Sequence, residues 1–271
     1  DNGDGSFTLI PDQLAGLTIT PPADSNVDFN LTVTATSTSI SGDTISNVQT
    51  LTVDVTGVAD APTLTVGAVS GTEDSAIALG IDAGLVDTDG SETLSVTISG
   101  MPAGATLSAG TDNGDGTWTL AAGDLATLSV TPPDDFSGDF TLSVTATATE
   151  DDGSTASVLD TITVSVEGVA DATTLDATAA TVAGDGSIAR DINAALTDTD
   201  GSETLSITVS DLPEGTTLSA GTLNADGSYT LTPAELDGLS MTPPATYSGD
   251  INLSVTASST EANGDTAETV D

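Results

Sequence analysis

Two identical nine-residue blocks hold the side chains most able to do chemistry in this chain. Asp-Thr-Asp-Gly-Ser-Glu-Thr-Leu-Ser occurs at 87–95 and again at 198–206, presenting Asp87, Asp89 and Glu92 and then Asp198, Asp200 and Glu203. In Asp-x-Asp-Gly, two carboxylates one residue apart can point to the same side of a loop, and the glycine lets the chain reverse. Hard oxygen donors grouped in a loop suit Ca²⁺, which takes about six to eight oxygens in a flexible geometry. The plainer alternative is a solvated turn in which aspartate bonds its own backbone. Duplication of the block, with acidic loops elsewhere in each copy, favours the metal.

The elements that must position these loops are themselves repeated. Asp-Asn-Gly-Asp-Gly at 1–5 returns at 112–116 and, degraded, at 224–227; Thr20-Pro21-Pro22 returns as Thr131-Pro132-Pro133 and Thr242-Pro243-Pro244; Gly57-Val58-Ala59-Asp60 returns as Gly168-Val169-Ala170-Asp171. A constant offset of 111 residues across the 271-residue chain means one folded unit copied in tandem. With the copy ending after Gly-Val-Ala-Asp, residues 1–60 are the C-terminal part of a module, 61–171 a complete one, and 172–271 one lacking its last strand. The half-module at 1–60 would leave exposed edges.

Forty-two acidic residues stand against one basic residue, Arg190, with no histidine, for a net charge of −41. A surface this negative repels itself unless counter-ions collect on it. It does not suit nucleic acid, whose binding relies on Lys and Arg to release counter-ions, nor an anionic membrane surface. Divalent cations are the natural partners. Hydrophobic residues make up 37% and lie in alternating runs, which argues against disorder. Salt adaptation also produces such a composition. Without cysteine, neither disulfides nor thiolate metal sites can staple the fold. No apolar run approaches the length of a spanning helix, about 18 residues, so no membrane insertion is expected.

Short runs rich in Val, Ile, Leu and Thr between Gly, Asp, Pro and Ser clusters predict an all-β sandwich. In the complete copy the strands are expected at Pro62–Gly67, Ser75–Gly80, Thr93–Ser99, Ala105–Ala109, Thr117–Ala121, Thr127–Thr131, Asp139–Ala148 and Ser157–Val166. Phe140, Leu142, Val144 and Ala146 alternate onto a core face, as do Ile162, Val164 and Val166. Asp115-Gly116 reads as a hairpin turn joining Leu107–Ala109 to Trp118–Leu120. Trp118, with Phe7 and Tyr229 at the matching positions, reads as a core plug, and Leu85 and Leu196 as core. Ala121–Leu125 and Pro233–Leu236 have the composition of single helical turns.

Enzymatic readings fail on residue types. Lacking histidine, cysteine and lysine, the chain cannot assemble a Ser-His-Asp, Cys-His or lysine-based nucleophile. It has no phosphate-binding glycine loop, dinucleotide fingerprint or zinc spacing. Paired carboxylates can cleave glycosides, but acidic residues recurring in each copy beside glycine turns fit a structural site better.

Thr72-Glu73-Asp74-Ser75 followed by Val86-Asp87-Thr88-Asp89-Gly90-Ser91-Glu92 resembles the opening of a cadherin repeat, a glutamate before a strand and then an Asp-x-Asp-x-Gly loop. Asp134-Asp135 falls at the acidic Leu-Asp-Arg-Glu block. Val144–Thr147 leading to Glu150-Asp151-Asp152-Gly153 resembles the Val-x-Ala-x-Asp stretch, and Gly168–Ala172 and Gly57–Pro62 occupy the linker. Together these resemble the cadherin-like tandem modules of giant type I-secreted, repeats-in-toxin bacterial adhesins. The resemblance implies Greek-key sandwiches, Ig-like or cadherin-like, in an extended array with Ca²⁺ at the junctions.

Carried over, it gives the 171/172 junction Glu73, Asp134 or Asp135, and Asp171 from one module, with Asp198, Asp200 and Glu203 from the next. Glu150, Asp151 and Asp152 lie at the other end, facing Asp60, Asp87 and Asp89, joined by Asp24. The linker keeps one aspartate where animal cadherins have a cluster, which implies fewer ions. Gly184 replaces Glu73 in the third copy, followed by Asp185, and Ser39, Ile40 and Ser41 replace Glu150 to Asp152 in the first. The toxin-type nonapeptide is absent.

The function so implied is a calcium-stiffened extender that projects a distal binding domain from a bacterial cell surface for adhesion or biofilm formation, with neighbouring modules as partners. The rivals are a module that itself grips a glycan or protein or self-associates, and a filament or surface-layer segment.

Overall fold

The computed structural model describes residues 1–178 and 188–271. The all-β expectation holds. Strands carry the fold, and the helical content of the described residues is three short 3₁₀ turns at Pro11–Gln13, Ala122–Thr127 and Pro233–Glu235. Two of these coincide with the expected turns. The second is capped by Asp124, whose Oδ2 accepts the Ala121 N–H at 2.9 Å.

In the complete copy, six strands form one sheet in the order Val69–Thr72, Thr155–Glu167, Gly138–Glu150, Glu92–Ser99, Thr117–Ala121 and Thr111–Asp112. Ile77–Ala78, Ser129–Thr131 and Thr106–Leu107 form a facing three-stranded sheet, and Thr63–Thr65 pairs with Asp82–Gly84. Two hairpins, Thr111–Asp112 with Thr117–Ala121 and Gly138–Glu150 with Thr155–Glu167, stay within the large sheet, and the other connections pass between sheets, as in a sandwich. Strict alternation makes this work. Leu142, Val144 and Ala146 point inward from one long strand and Ile162, Val164 and Val166 from its partner, all buried among Ile77, Leu79, Val96, Ile98, Leu120 and Val130. Phe140 is only half-buried at the end of that row, edge-on to Phe136 with ring centroids 5.8 Å apart.

The third copy repeats the plan. Its five-stranded sheet runs Thr222–Leu223, Tyr229–Leu231, Thr204–Ser210, Ser254–Thr260 and Thr266–Val270, over a second core of Ile192, Ile207, Val209, Tyr229, Leu231 and Leu239. Residues 1–60 hold one two-stranded hairpin, Phe29–Thr38 with Thr44–Val53. The core-plug expectation holds for Tyr229, 8% exposed, and in part for the half-buried Trp118; Phe7 is 68% exposed.

Several expectations need correction. The turn at Asn113–Gly116 closes Thr111–Asp112 onto Thr117–Ala121, not Leu107–Ala109, which belongs to the other sheet. The chain changes sheets at Gly110, with φ +96°, where a side chain would meet the Thr119 carbonyl at 2.9 Å. Leu85 and Leu196 are half-buried at the rim and outside both cores. The strand at Val69–Thr72 was not expected; it pairs in parallel with Val164–Glu167. The predicted strands at Ser75–Gly80 and Thr127–Thr131 shrink to Ile77–Ala78 and Ser129–Thr131. Gly184 and Asp185 lie outside the described residues.

Candidate metal centre

Each acidic block folds as consecutive turns that aim its carboxylates. Asp87 Oδ1 accepts the Asp89 N–H at 2.7 Å and Asp89 Oδ1 accepts the Ser91 N–H at 2.8 Å; Asp198, Asp200 and Ser202 repeat this at 2.7 and 2.7 Å. Gly90 and Gly201, with φ +100° and +95°, make the reversal. The plainer reading is therefore partly realised: Asp89 is exposed and spends one oxygen on its turn, which holds its carboxyl below the ordinary range through the Ser91 hydrogen bonds. Asp87 and Asp198, by contrast, are buried.

The residue that follows each turn reaches back to the linker. Glu92 Oε1 accepts the Asp60 N–H and Glu203 Oε1 the Asp171 N–H, both at 2.7 Å. Asp60, Asp87 and Glu92 each bring one carboxylate oxygen within 4.8 Å of the others. Glu150, buried at the end of its strand, is tied in by the Ser91 Oγ, which donates to its Oε1 at 3.2 Å. Asp24 lines the same cleft of about 320 Å³ as Asp60, Asp87 and Glu150.

The second linker collects more acid. Glu73, Asp198 and Glu261, all buried, bring carboxylate oxygens within 4.8 Å of one another, and Asp74, Asp135 and Asp171 form a second such group. Glu73 Oε1 accepts the Val169 N–H at 2.5 Å, and Asp74 Oδ1 accepts the Asp135 N–H at 3.1 Å. From the far side, Asp200 Oδ2 accepts the N–H and Oγ–H of Ser137 at 3.1 and 3.0 Å. The Ser202 Oγ donates to Glu261 Oε1 at 2.9 Å, the counterpart of Ser91 with Glu150.

The electrostatics are unbalanced. Burial pushes the Glu73 carboxyl from 4.5 up to about 7 against the opposing Val169 bond, and the charges of Glu261, Asp198 and Asp74 add to the rise. Burial also raises Glu203, and raises Asp135 together with the charges of Asp198, Asp74 and Asp171. Glu73 Oε2, Glu92 Oε2 and Glu203 Oε2 are buried with no hydrogen-bond partner. The chain's one basic side chain, Arg190, points at Met241 Sδ instead, 3.9 Å away. Uncompensated buried anions are strongly destabilising, and an all-oxygen donor set with unused lone pairs matches a hard divalent cation. These residues fit Ca²⁺.

The structure thus brings together Asp60, Asp87 and Glu92, with Asp24 and Glu150 beside them, and it brings together Glu73, Asp135, Asp171 and Asp198, with Asp200 and Glu203 on the same linker. Asp134, Asp151 and Asp152 are exposed and outside these groups; Asp152 Oδ1 caps its own turn through the Ser154 N–H at 2.8 Å. Two participants were not expected. Glu261 sits one repeat length after Glu150, so the offset alone could have found it. Asp74 adjoins Glu73, and its φ of +54° turns the acidic pair toward two different groups.

No protein-family model and no curated protein sequence matches the chain. Among solved structures it is similar to a protocadherin gammaB7 cis-dimer structure of domains EC3-6 (17% identity, 90% of this chain and 57% of that one, TM-score 0.33). It is also similar to mouse cadherin-23 EC22-24 (15% identity, 89% and 72%, TM-score 0.35). A third similar structure is a 1.5-MDa bacterial ice-binding adhesin, described for its host cell surface retention (19% identity, 92% and 73%, TM-score 0.29).

Proposed function

We propose that the chain is a calcium-stiffened extender segment of a large bacterial surface adhesin, built from modules at 1–60, 61–171 and 172–271 that hold a distal binding domain away from the cell. One observation carries the reading. Buried carboxylates from two successive repeats, Glu73 with Asp198 and Glu261, converge within 4.8 Å beside a linker, and Glu73 keeps an unpaired oxygen. Ca²⁺ bound there neutralises the carboxylates and ties the two repeats together, so that bending at the linker requires loss of ligands. Glu73, Asp198 and Glu261 would hold one ion, Asp74, Asp135 and Asp171 another, and Asp60, Asp87 and Glu92 a third at the earlier linker.

Sites of modest affinity suffice. Extracellular modules bind Ca²⁺ at roughly 10⁻⁴–10⁻³ M, and binding to the folded state alone adds RT ln(1 + [L]/Kd), about 1 kcal/mol per site at a few-fold excess. The test is a thermal melt of the whole chain in millimolar Ca²⁺ and then in excess EGTA, with small-angle scattering on both. A higher melting temperature and a longer, stiffer particle in Ca²⁺ are expected. Indifference of both observables to Ca²⁺ would overturn the reading.

A further inference from the structure

Gly57 and Gly168 open their linkers at equivalent positions, yet neither is among the glycines with positive φ. Backbone conformation therefore does not explain them, and alanine could adopt the same dihedrals. The explanation lies in what a Cβ would meet. At Gly168 it would collide with Glu261 Oε2 and lie 2.5 Å from the carboxyl carbon and 3.0 Å from Oε1; at Gly57 it would lie 2.8–3.0 Å from the same three atoms of Glu150. Each glycine is a slot in the linker into which a glutamate of the following repeat sets its carboxylate, Glu150 at the end of its strand and Glu261 just past the end of Ser254–Thr260.

The slot is lined on its other sides. Glu261 is 4% exposed, its Oε1 takes the Ser202 hydroxyl at 2.9 Å, and its Oε2 takes the Ala262 N–H at 3.2 Å. Glu150 is held likewise by Ser91 and by the Asp151 N–H at 3.3 Å. Glu261 faces Glu73 and Asp198, and the buried, partnerless Glu73 Oε2 belongs to that same group. Asn263 Nδ2 donates to the Gly168 carbonyl at 2.8 Å, fixing the linker over the carboxylate.

We infer that Gly168 and Gly57 are positioning residues for divalent-cation binding: the missing side chain allows Glu261 to sit against the linker and present its carboxylate to the ion it shares with Glu73 and Asp198, and allows Glu150 to sit in the same way in the cleft of Asp60 and Asp87, beside the other ion. The inference rests on the calcium reading above. It differs from a packing role because what a Cβ would displace is the far end of a flexible side chain. That end can swing away without disturbing a strand, and swinging away removes it from the ion.

The experiment is Ca²⁺ titration calorimetry on the whole chain, with a melt in EGTA for each variant. Gly168→Ala should keep its metal-free melting temperature within about 2 °C of the parent, since no core contact changes. It should weaken Ca²⁺ at its own junction at least about tenfold, the scale of lost support behind a metal ligand. Gly57→Ala should do the same to the other set of ions. The double variant Gly168→Ala with Glu261→Asp, whose shorter side chain clears the new methyl, should bind more tightly than Gly168→Ala alone. Gly67→Ala, where a Cβ meets open space, is the control and should bind as the parent does. If the parent binds Ca²⁺ and Gly168→Ala binds it equally well, the slot is overturned while the calcium reading stands. If the parent binds no Ca²⁺, the calcium reading fails and the slot falls with it. If Gly168→Ala loses Ca²⁺ only because its metal-free melt collapses, the glycine is a packing residue and the inference is wrong.

Discussion

Glu73 holds the Val169 N–H with one oxygen and leaves the other buried and bare. Its folded-state pKa of about 7, against 4.5 ordinarily, sets the sign of a pH effect. Below about pH 4.5 the group is protonated in both the folded and unfolded states, and its neutral form is at ease in the fold. As pH rises toward 7 the unfolded chain ionises first, so the folded state binds more protons and loses stability with rising pH. In EGTA the melting temperature should therefore fall between pH 4.5 and 7, and Glu73→Gln should flatten that fall relative to the parent. With saturating Ca²⁺ the parent should show little of it, because the ionised form then has a partner. A melting temperature in EGTA that is unchanged by pH, or changes identically in Glu73→Gln, would contradict the assignment. Little of this was legible in the sequence. Asp87 and Asp198 announced themselves by the doubled block, whereas Glu261 was within reach of the repeat offset from Glu150 but carries no local motif of its own, and its burial beside the linker is a product of the fold.

Strand alternation made the inner face of the long hairpin readable, because side chains of period two sort themselves between core and solvent wherever a sheet has one buried face. What hid was the parallel strand Val69–Thr72, whose Ser70 and Gly71 carry no apolar signal and whose pairing is with residues nearly a hundred positions away. The split between Thr106–Leu107 and Thr111–Asp112 was equally silent. A change of sheet is a property of the backbone at Gly110, not of any pattern in the flanking side chains. The repeat supplies its own energetic comparison. Ile162 is fully buried, while Leu51, at the same repeat position, is 55% exposed. Ile162→Ala should cost about 2–5 kcal/mol. Leu51→Ala should stay within about 0.5 kcal/mol, as exposed substitutions usually do. Urea unfolding of both variants checks the contrast; equal losses would mean that Leu51 is also packed in solution.

At the scale of the whole chain, a net charge of −41 with one basic residue acts on every element at once. Screening by monovalent salt should raise the melting temperature in EGTA, since at about 0.15 M the Debye length is only about 8 Å. Ca²⁺ should match the effect at far lower concentration if it binds at sites rather than merely screening. Equal effectiveness of Na⁺ and Ca²⁺ at matched ionic strength would remove the case for sites.

The parallel pairing of Val69–Thr72 with Val164–Glu167 has a mechanical consequence. One strand lies near the entry of the complete repeat and the other at its exit, and they run in the same direction. A pull on the two ends of the chain therefore slides one past the other instead of peeling them apart. The hydrogen bonds of that patch share the load and must fail together, and the Glu73 N–H bonded to the Glu167 carbonyl at 3.0 Å extends the patch to the edge of the acidic linker. Tension reaches this shear-loaded clasp before it reaches the core behind it.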